Sequence, residues 1–279
     1  MGNLERQARR NRRRATLLLA TPALVQLFPM FYLLCMSFKI GGEVIKYPPQ
    51  ILPNALDFSN YATALSRAPL WRFLLNSLVV ATAITLLQLL TSILAAYALA
   101  RLKFPGKSWV LAGIVATMMI PGEVTIIPNY FTIIQLDWLN TYCGLVSPFA
   151  VSGFGIFLLY QFFRSIPAEL EEAALMDGAS RWRFLWQFVV PLSQPAIVAF
   201  AIYAFVGAWN QYLWPLVVTQ STSMQTAQIG IGIFRSQNES TSWGVIMAAT
   251  TILVAPTLLL FVTVQRQFVR GITMSGLKG

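Results

Sequence analysis

The chain has no histidine, which removes imidazole acid–base chemistry and the commonest transition-metal ligand. Its two cysteines, Cys35 and Cys143, lie far apart and outside any CxxC spacing, so they read as packed apolar side chains and not as a redox or metal site. That leaves ten carboxylates, of which four (Glu169, Glu171, Glu172 and Asp177) fall within nine residues. The remainder scatter singly, so no constellation of acid, base and nucleophile for a membrane enzyme can be drawn. Three other stretches need a reading. Gly106-Lys107-Ser108 has the last three residues of a phosphate-binding loop, but Arg101 stands where the first glycine belongs and no strand precedes it, so it reads as a turn. Glu123 sits in MIPGEVTIIPNY between Pro121 and Pro128, inside an apolar run. Asn210, Gln211, Tyr212 and Trp214, in WNQYLWPL, combine amides with aromatic faces, the two features a sugar needs.

The elements that must hold these residues are set by composition. Of 279 residues 56% are hydrophobic and 11% charged, with a mean hydropathy of +0.62, whereas a soluble domain carries about a quarter charged residues. The expected fold class is all-α, a polytopic membrane protein. Six apolar segments approach the roughly 20 residues that cross a bilayer core, centred on 16–38, 73–99, 109–131, 144–163, 196–219 and 244–265. The first reads as a retained anchor, since its apolar part is longer than a signal-peptide core and five further segments follow. Net charge is +10, and six arginines (Arg6, Arg9, Arg10, Arg12, Arg13, Arg14) precede that first segment. With the N-terminus inside, fifteen of the twenty basic residues fall on the cytoplasmic side, so both termini are expected in the cytoplasm. Such a basic tail serves orientation and membrane lipid; no nucleic acid partner is expected, because nothing downstream offers stacking aromatics on a basic surface. The division is a basic tail over 1–15, a membrane domain over 16–265 with a cytoplasmic loop over 164–195, and a C-terminal tail over 266–279.

The loop carries the clustered carboxylates. Pro167 suits a helix start and Glu169, Glu171 and Glu172 suit the positive end of its dipole. Gly178 is placed to take the left-handed conformation that ends the helix. Ser180 can cap a second helix, RWRFLWQFVV, leading through Pro191 and Pro195 into the fifth segment. A short helix fused through a sharp turn to a span could pass motion from a cytoplasmic partner, or could simply close a loop at the interface.

ELEEAALMDGASRWRFLWQFVVPLSQPA resembles the EAA loop of ABC importer permeases. Glu172, Ala173, Ala174, Asp177, Gly178, Ala179 and Ser180 fall on that pattern, with Pro191-Leu192 in place of the common Leu-Pro order. FLLNSLVVA, LNTYCGLVSP, WNQYLWPL and QRQFVRGITMSGLKG are similar to carbohydrate-uptake permeases of the maltose-transporter type, in the half whose C-terminal tail reaches the ATPase. The resemblance implies a non-catalytic subunit in a bacterial inner membrane. Its coupling helix, with Glu172, Ala173, Ala174, Asp177 and Gly178, would dock on an ATP-binding subunit dimer, and Gly271–Gly279 would lie along that dimer. A second homologous permease and an extracytoplasmic solute-binding protein would complete the complex. No cofactor would be bound by this chain, ATP and Mg²⁺ being used by the partner ATPase.

Glu123, Asn210, Gln211, Tyr212 and Trp214 are the candidate pathway residues; the other readings are a structural carboxylate at Glu123, satisfied by backbone freed at the prolines, and an interfacial aromatic belt around Trp214. The predicted spans hold no Lys or Arg, which favours a neutral sugar, glycoside or polyol. WNQYLWPL is also similar to glycerol-3-phosphate permeases, so that phosphate or its diesters is the alternative cargo. A proton-coupled secondary transporter is the rival of another class; it would account for Glu123 but needs no coupling helix and should show an inverted repeat. The outer segment from Gly41 to Arg72, with a helix capped by Asp57 or Ser59, is expected to meet the binding protein or to rest on lipid.

Overall fold

A computed structural model describes residues 2–40, 43–44, 47–48, 50–236 and 243–275. Helices and turns account for all regular structure among them, and no strand occurs. In chain order the helices are α1 (Gly2–Ser37), α2 (Ser59–Arg67), α3 (Leu70–Arg101), α4 (Lys107–Thr117), α5 (Ile126–Gln135), α6 (Tyr142–Val146) and α7 (Gly153–Arg164). They continue as α8 (Ala168–Met176), α9 (Arg181–Leu192), α10 (Gln194–Trp209), α11 (Leu213–Val218), α12 (Ala227–Ser236) and α13 (Trp243–Ser275). Among the described residues, three helices contain a stretch long and apolar enough to cross a membrane, at 20–37, 70–101 and 243–260. Three bent pairs raise that to six if each pair is one span.

The bends revise the expectation of six continuous helices, and proline explains two of them. The third segment breaks into α4 and the 122–135 piece, at 92° to one another, because Pro121 cannot donate to the helical ladder and disfavours helical geometry at the residue before it. Pro128 then falls in the first turn of α5, where a missing N–H costs nothing. The third bent pair is α9 and α10, which meet at 78° across Ser193 because Pro195, in the first turn of α10, cannot donate to the helical ladder. The fifth segment, expected to run over 196–219, breaks again outside the bent pairs: its helix ends at Trp209 and resumes only at Leu213. Continued helix would drive the Pro215 ring into the carbonyl of Gln211. The fourth splits at 150–152 with a 47° bend. In the other direction, α1 and α13 continue past their apolar stretches into the flanking basic sequence, so the helical backbone covers residues 2–15 and 266–275 as well. Residues 276–279 of the predicted tail, and Lys46, lie outside the described residues.

The chain divides into two compact units. The first comprises residues 1–70 and 231–255. At its centre the buried amide of Asn60 donates from Nδ2 to the carbonyls of Ser37 (3.0 Å) and Lys39 (2.7 Å), while the Ser37 and Tyr61 hydroxyls pair at 2.7 Å. Lys39 is only 1% exposed; its ammonium donates to the Gln50 carbonyl and lies 6.0 Å from the Tyr32 ring centroid. The cap position of α2 falls on Phe58, whose side chain caps nothing, and not on Asp57 or Ser59 as expected; Asp57, one residue further out, accepts from the Ser59 N–H and the Ser59 hydroxyl, both at 2.8 Å. Those two donors hold the Asp57 carboxyl below its ordinary pKa, the backbone N–H contributing more.

The second unit comprises residues 71–230 and 256–279. Its core brings Ile93, Ala96 and Tyr97 of α3 against Leu159 and Phe163 of α7 and against Phe184, Leu185 and Val189 of α9. Gly155 permits this closeness: a Cβ there would collide with the Phe200 ring of α10 and come within 2.6 Å of the Ser92 hydroxyl of α3. Cys143 is exposed, contrary to the expectation of two buried thiols, because Gly144, Leu145 and Val146 supply the buried side of α6; Cys35 is buried as expected.

Candidate functional site: a coupling loop and a polar helix break

Residues 164–195 form the helix–turn–helix predicted, and each junction has a hydrogen-bonding reason. Pro167, with extended ψ of 140°, stands just before α8 and not inside its first turn, and Glu169 and Glu171 occupy that turn. α8 closes with a paired motif: Gly178 donates to the Leu175 carbonyl (3.0 Å) and Ala179 to the Ala174 carbonyl (2.9 Å), Gly178 having φ +80°. This is the Schellman arrangement, which a Cβ at Gly178 would strain. Two residues on, the Ser180 hydroxyl accepts from the Arg183 N–H at 3.2 Å and starts α9. Phe184, Leu185 and Val189 then enter the core, and the helix widens to a π turn over Leu185–Val189 ahead of Pro191.

Of the five predicted coupling residues, Glu172, Ala173, Asp177 and Gly178 face outward and Ala174 packs into the chain's own core. The close approach expected of both alanines is therefore open to Ala173 alone. Leu170, Leu175 and Met176, the last 89% exposed, add an apolar character to this face that charge-led reading passed over. Glu171, although absent from the predicted set, is the carboxylate with a partner: its Oε2 lies 3.4 Å from Nη1 of Arg101.

The candidate pathway residues fall at two breaks. Glu123 is exposed in a 3₁₀ turn over Gly122–Thr125, at the corner between α4 and α5 and not midway along a continuous span. Asn210 and Gln211 end α10, their N–H groups donating to the Val206 and Ala208 carbonyls. The Asn210 side chain accepts from Gln228 Nε2 at 3.1 Å, and Gln211 Oε1 is buried without a partner. Tyr212 is exposed. Trp214 is 3% exposed and committed: Nε1 donates to the Gly144 carbonyl at 3.1 Å and the ring meets Phe149 edge-on. The structure thus gathers Asn210, Gln211 and Tyr212 at one break, gives Trp214 a packing role, and joins Glu123 to none of them by a hydrogen bond among the described residues.

Neighbouring polar residues went unnoticed in the sequence. Asn76 is buried within α3; its Nδ2 donates to the Ser223 (2.9 Å) and Gln225 (2.8 Å) carbonyls and its Oδ1 accepts from the Tyr142 hydroxyl. An amide inside an apolar run was the available signal. Trp209 Nε1, Gln225 Oε1 and Thr226 Oγ1 are buried and unpaired like Gln211 Oε1.

The profile of the family described as "Binding-protein-dependent transport system inner membrane component" matches residues 88–274, which take in the coupling loop and the 209–228 segment. The chain belongs to this family of ABC importer permeases. The permease is 37% identical over 259 residues to an sn-glycerol-3-phosphate transport system permease protein UgpE from Pectobacterium atrosepticum, covering 90% of this chain and 92% of that one. A UgpE from Agrobacterium fabrum is 35% identical over 266 residues, covering 92% and 94%. Among solved structures, a bacterial ABC transporter involved in the import of the acidic polysaccharide alginate superposes with a TM-score of 0.81 at 27% identity, covering 93% of the permease and 97% of that chain.

Proposed function

We propose that this permease carries a polyol-like or carbohydrate solute inward as one half of a two-permease channel driven by a cytoplasmic ATPase dimer, with ligand delivered by an extracytoplasmic binding protein. The observation that carries the reading is the α8–turn–α9 unit: backbone and Ser180 hydrogen bonds close the turn between its helices, its outer face is exposed, and Ala174, Phe184, Leu185 and Val189 of its inner face pack into the apolar core of the second unit. Switching a channel from 99:1 inward-facing to 1:99 takes about 5.5 kcal/mol of differential binding. One exposed ion pair supplies about 0–1 kcal/mol, so the ATPase must grip a surface, and α8 with Leu170, Ala173 and Met176 offers one. Glu172, Asp177 and Gly178 complete it. ATP and Mg²⁺ act on the partner, and this chain binds neither. Both termini lie on the ATPase side of the inner membrane.

For the solute, Asn210, Gln211 and Tyr212 supply neutral donors and acceptors suited to hydroxyl groups, and Glu123 a carboxylate on the route. The relatives named for sn-glycerol-3-phosphate favour a second reading in which the hydroxyl-rich solute also carries a phosphate. Co-purification tests the assembly: an ATPase and a second permease should accompany this chain, and uptake driven by a proton gradient without ATP would refute it. Titrating the associated binding protein with neutral sugars, polyols and glycerol-3-phosphate separates the two solute readings.

A further inference from the structure

Arg101, the last residue of α3, is one of the fifteen basic residues on the expected cytoplasmic side, together with Arg164, Arg181 and Arg183. Those other three are exposed, as orienting charges should be. The Arg101 side chain is 7% exposed. Its Nη2 donates to the carbonyls of Phe163 (2.9 Å) and Ile166 (2.6 Å), and its Nη1 reaches Glu171 Oε2 at 3.4 Å, with Nε left unpaired. One turn earlier on α3, the Tyr97 hydroxyl donates to the Arg181 carbonyl at 3.1 Å. The end of the span is therefore tied to the end of α7, the link into α8, the first turn of α8 and the first residue of α9.

We infer that Arg101, braced by Tyr97, is the positioning residue through which displacement of α8 is passed to the membrane span α3. The inference rests on the reading of α8 as the coupling helix. A burial this deep costs an unpaired cation heavily, and here the cost is offset by carbonyls at the negative end of α7 and by a carboxylate. The planar guanidinium divides the work between two nitrogens, Nη2 taking the two carbonyls and Nη1 the carboxylate; a lysine ammonium has three donors but gathers them on one nitrogen, and cannot keep that spread. Removing the tie leaves the outward face of α8 intact, so the ATPase should still bind while its strokes reach α3 weakly.

The test uses the full complex, with its ATPase, second permease and binding protein, in proteoliposomes, and reads solute transported per ATP hydrolysed beside the amount of ATPase retained on purification. Arg101→Lys should lower the ratio about tenfold, the effect of losing one charge-assisted hydrogen bond, with ATPase retention unchanged. Glu171→Gln keeps an acceptor and should lower it about twofold. An unchanged ratio in Arg101→Lys overturns the inference, as does a loss of transport that merely follows a loss of bound ATPase. Should Arg101→Lys fail to assemble, Tyr97→Phe, which deletes one hydroxyl, must still lower the ratio, and a wild-type ratio there overturns the inference equally. Gly178→Val separates the levels: if it uncouples and Arg101→Lys does not, only the role of Arg101 falls, whereas normal coupling in both removes the coupling-helix reading itself.

Discussion

The α8–turn–α9 unit over 168–192 and the segment over 209–228 treat their polar groups in opposite ways. In the loop, the Schellman pair closes α8, Ser180 caps α9, and Arg101 and Tyr97 take up the carbonyls of Phe163, Ile166 and Arg181. Within the segment, Trp209 Nε1, Gln211 Oε1, Gln225 Oε1 and Thr226 Oγ1 are buried and unpaired. An unmatched buried polar atom costs about 1–3 kcal/mol, so several together mark a place where water, another state or a ligand supplies the missing partners. The contrast separates a part that must not deform from one that must exchange partners.

The contrast can be broken most severely at Gly178. A valine there must adopt φ near +80°, which is strained for a β-branched residue. The turn should open, and uptake should fall at least tenfold while ATP hydrolysis persists, as measured in proteoliposomes. Ser180→Ala removes only the α9 cap; it should cost about 1 kcal/mol, read as a lowered unfolding temperature of the complex with partial loss of uptake. On the opposite side, Gln211→Leu deletes an unpaired acceptor and should leave stability unchanged or raised while raising the KM for solute. Equal loss of stability and uptake would show that the amide has a partner after all. The smallest effect belongs to Asp57→Asn. The Asp57 carboxyl is held below its ordinary pKa in the fold, so its contribution is present above the unfolded carboxylate pKa and lost as pH falls through the lowered folded value. The variant should flatten that acid limb of a stability–pH profile and do little at neutral pH.

Much of this was readable from residue order because the governing interactions are local. The α8 start, the Gly178 turn and the Ser180 cap each depend on residues within five positions, and apolar length located all six segments. The breaks were less legible: Pro121 and Pro215 were in view, but hydropathy averaged over about twenty residues passes smoothly across them. Arg101 was hidden for a different reason. A count of charges by side assigns it to the cytoplasm and nothing more, and its partners lie more than sixty residues away in the chain. The burial of Trp214 was not legible because the Gly144 carbonyl that claims its indole comes from seventy residues earlier.

The stiffness of the α8–turn–α9 unit is the central claim, and a distance between two labels measures it. Glu169 and Gln187 are both exposed, lie on α8 and α9, and stand outside the face assigned to the ATPase. Spin labels at these two positions, with Cys143 replaced by alanine, should report the same distance distribution in the assembled complex without nucleotide and with ATP trapped on the ATPase. A distribution that shifts or splits between those states would show that the loop flexes, and would contradict a lever that moves as one piece.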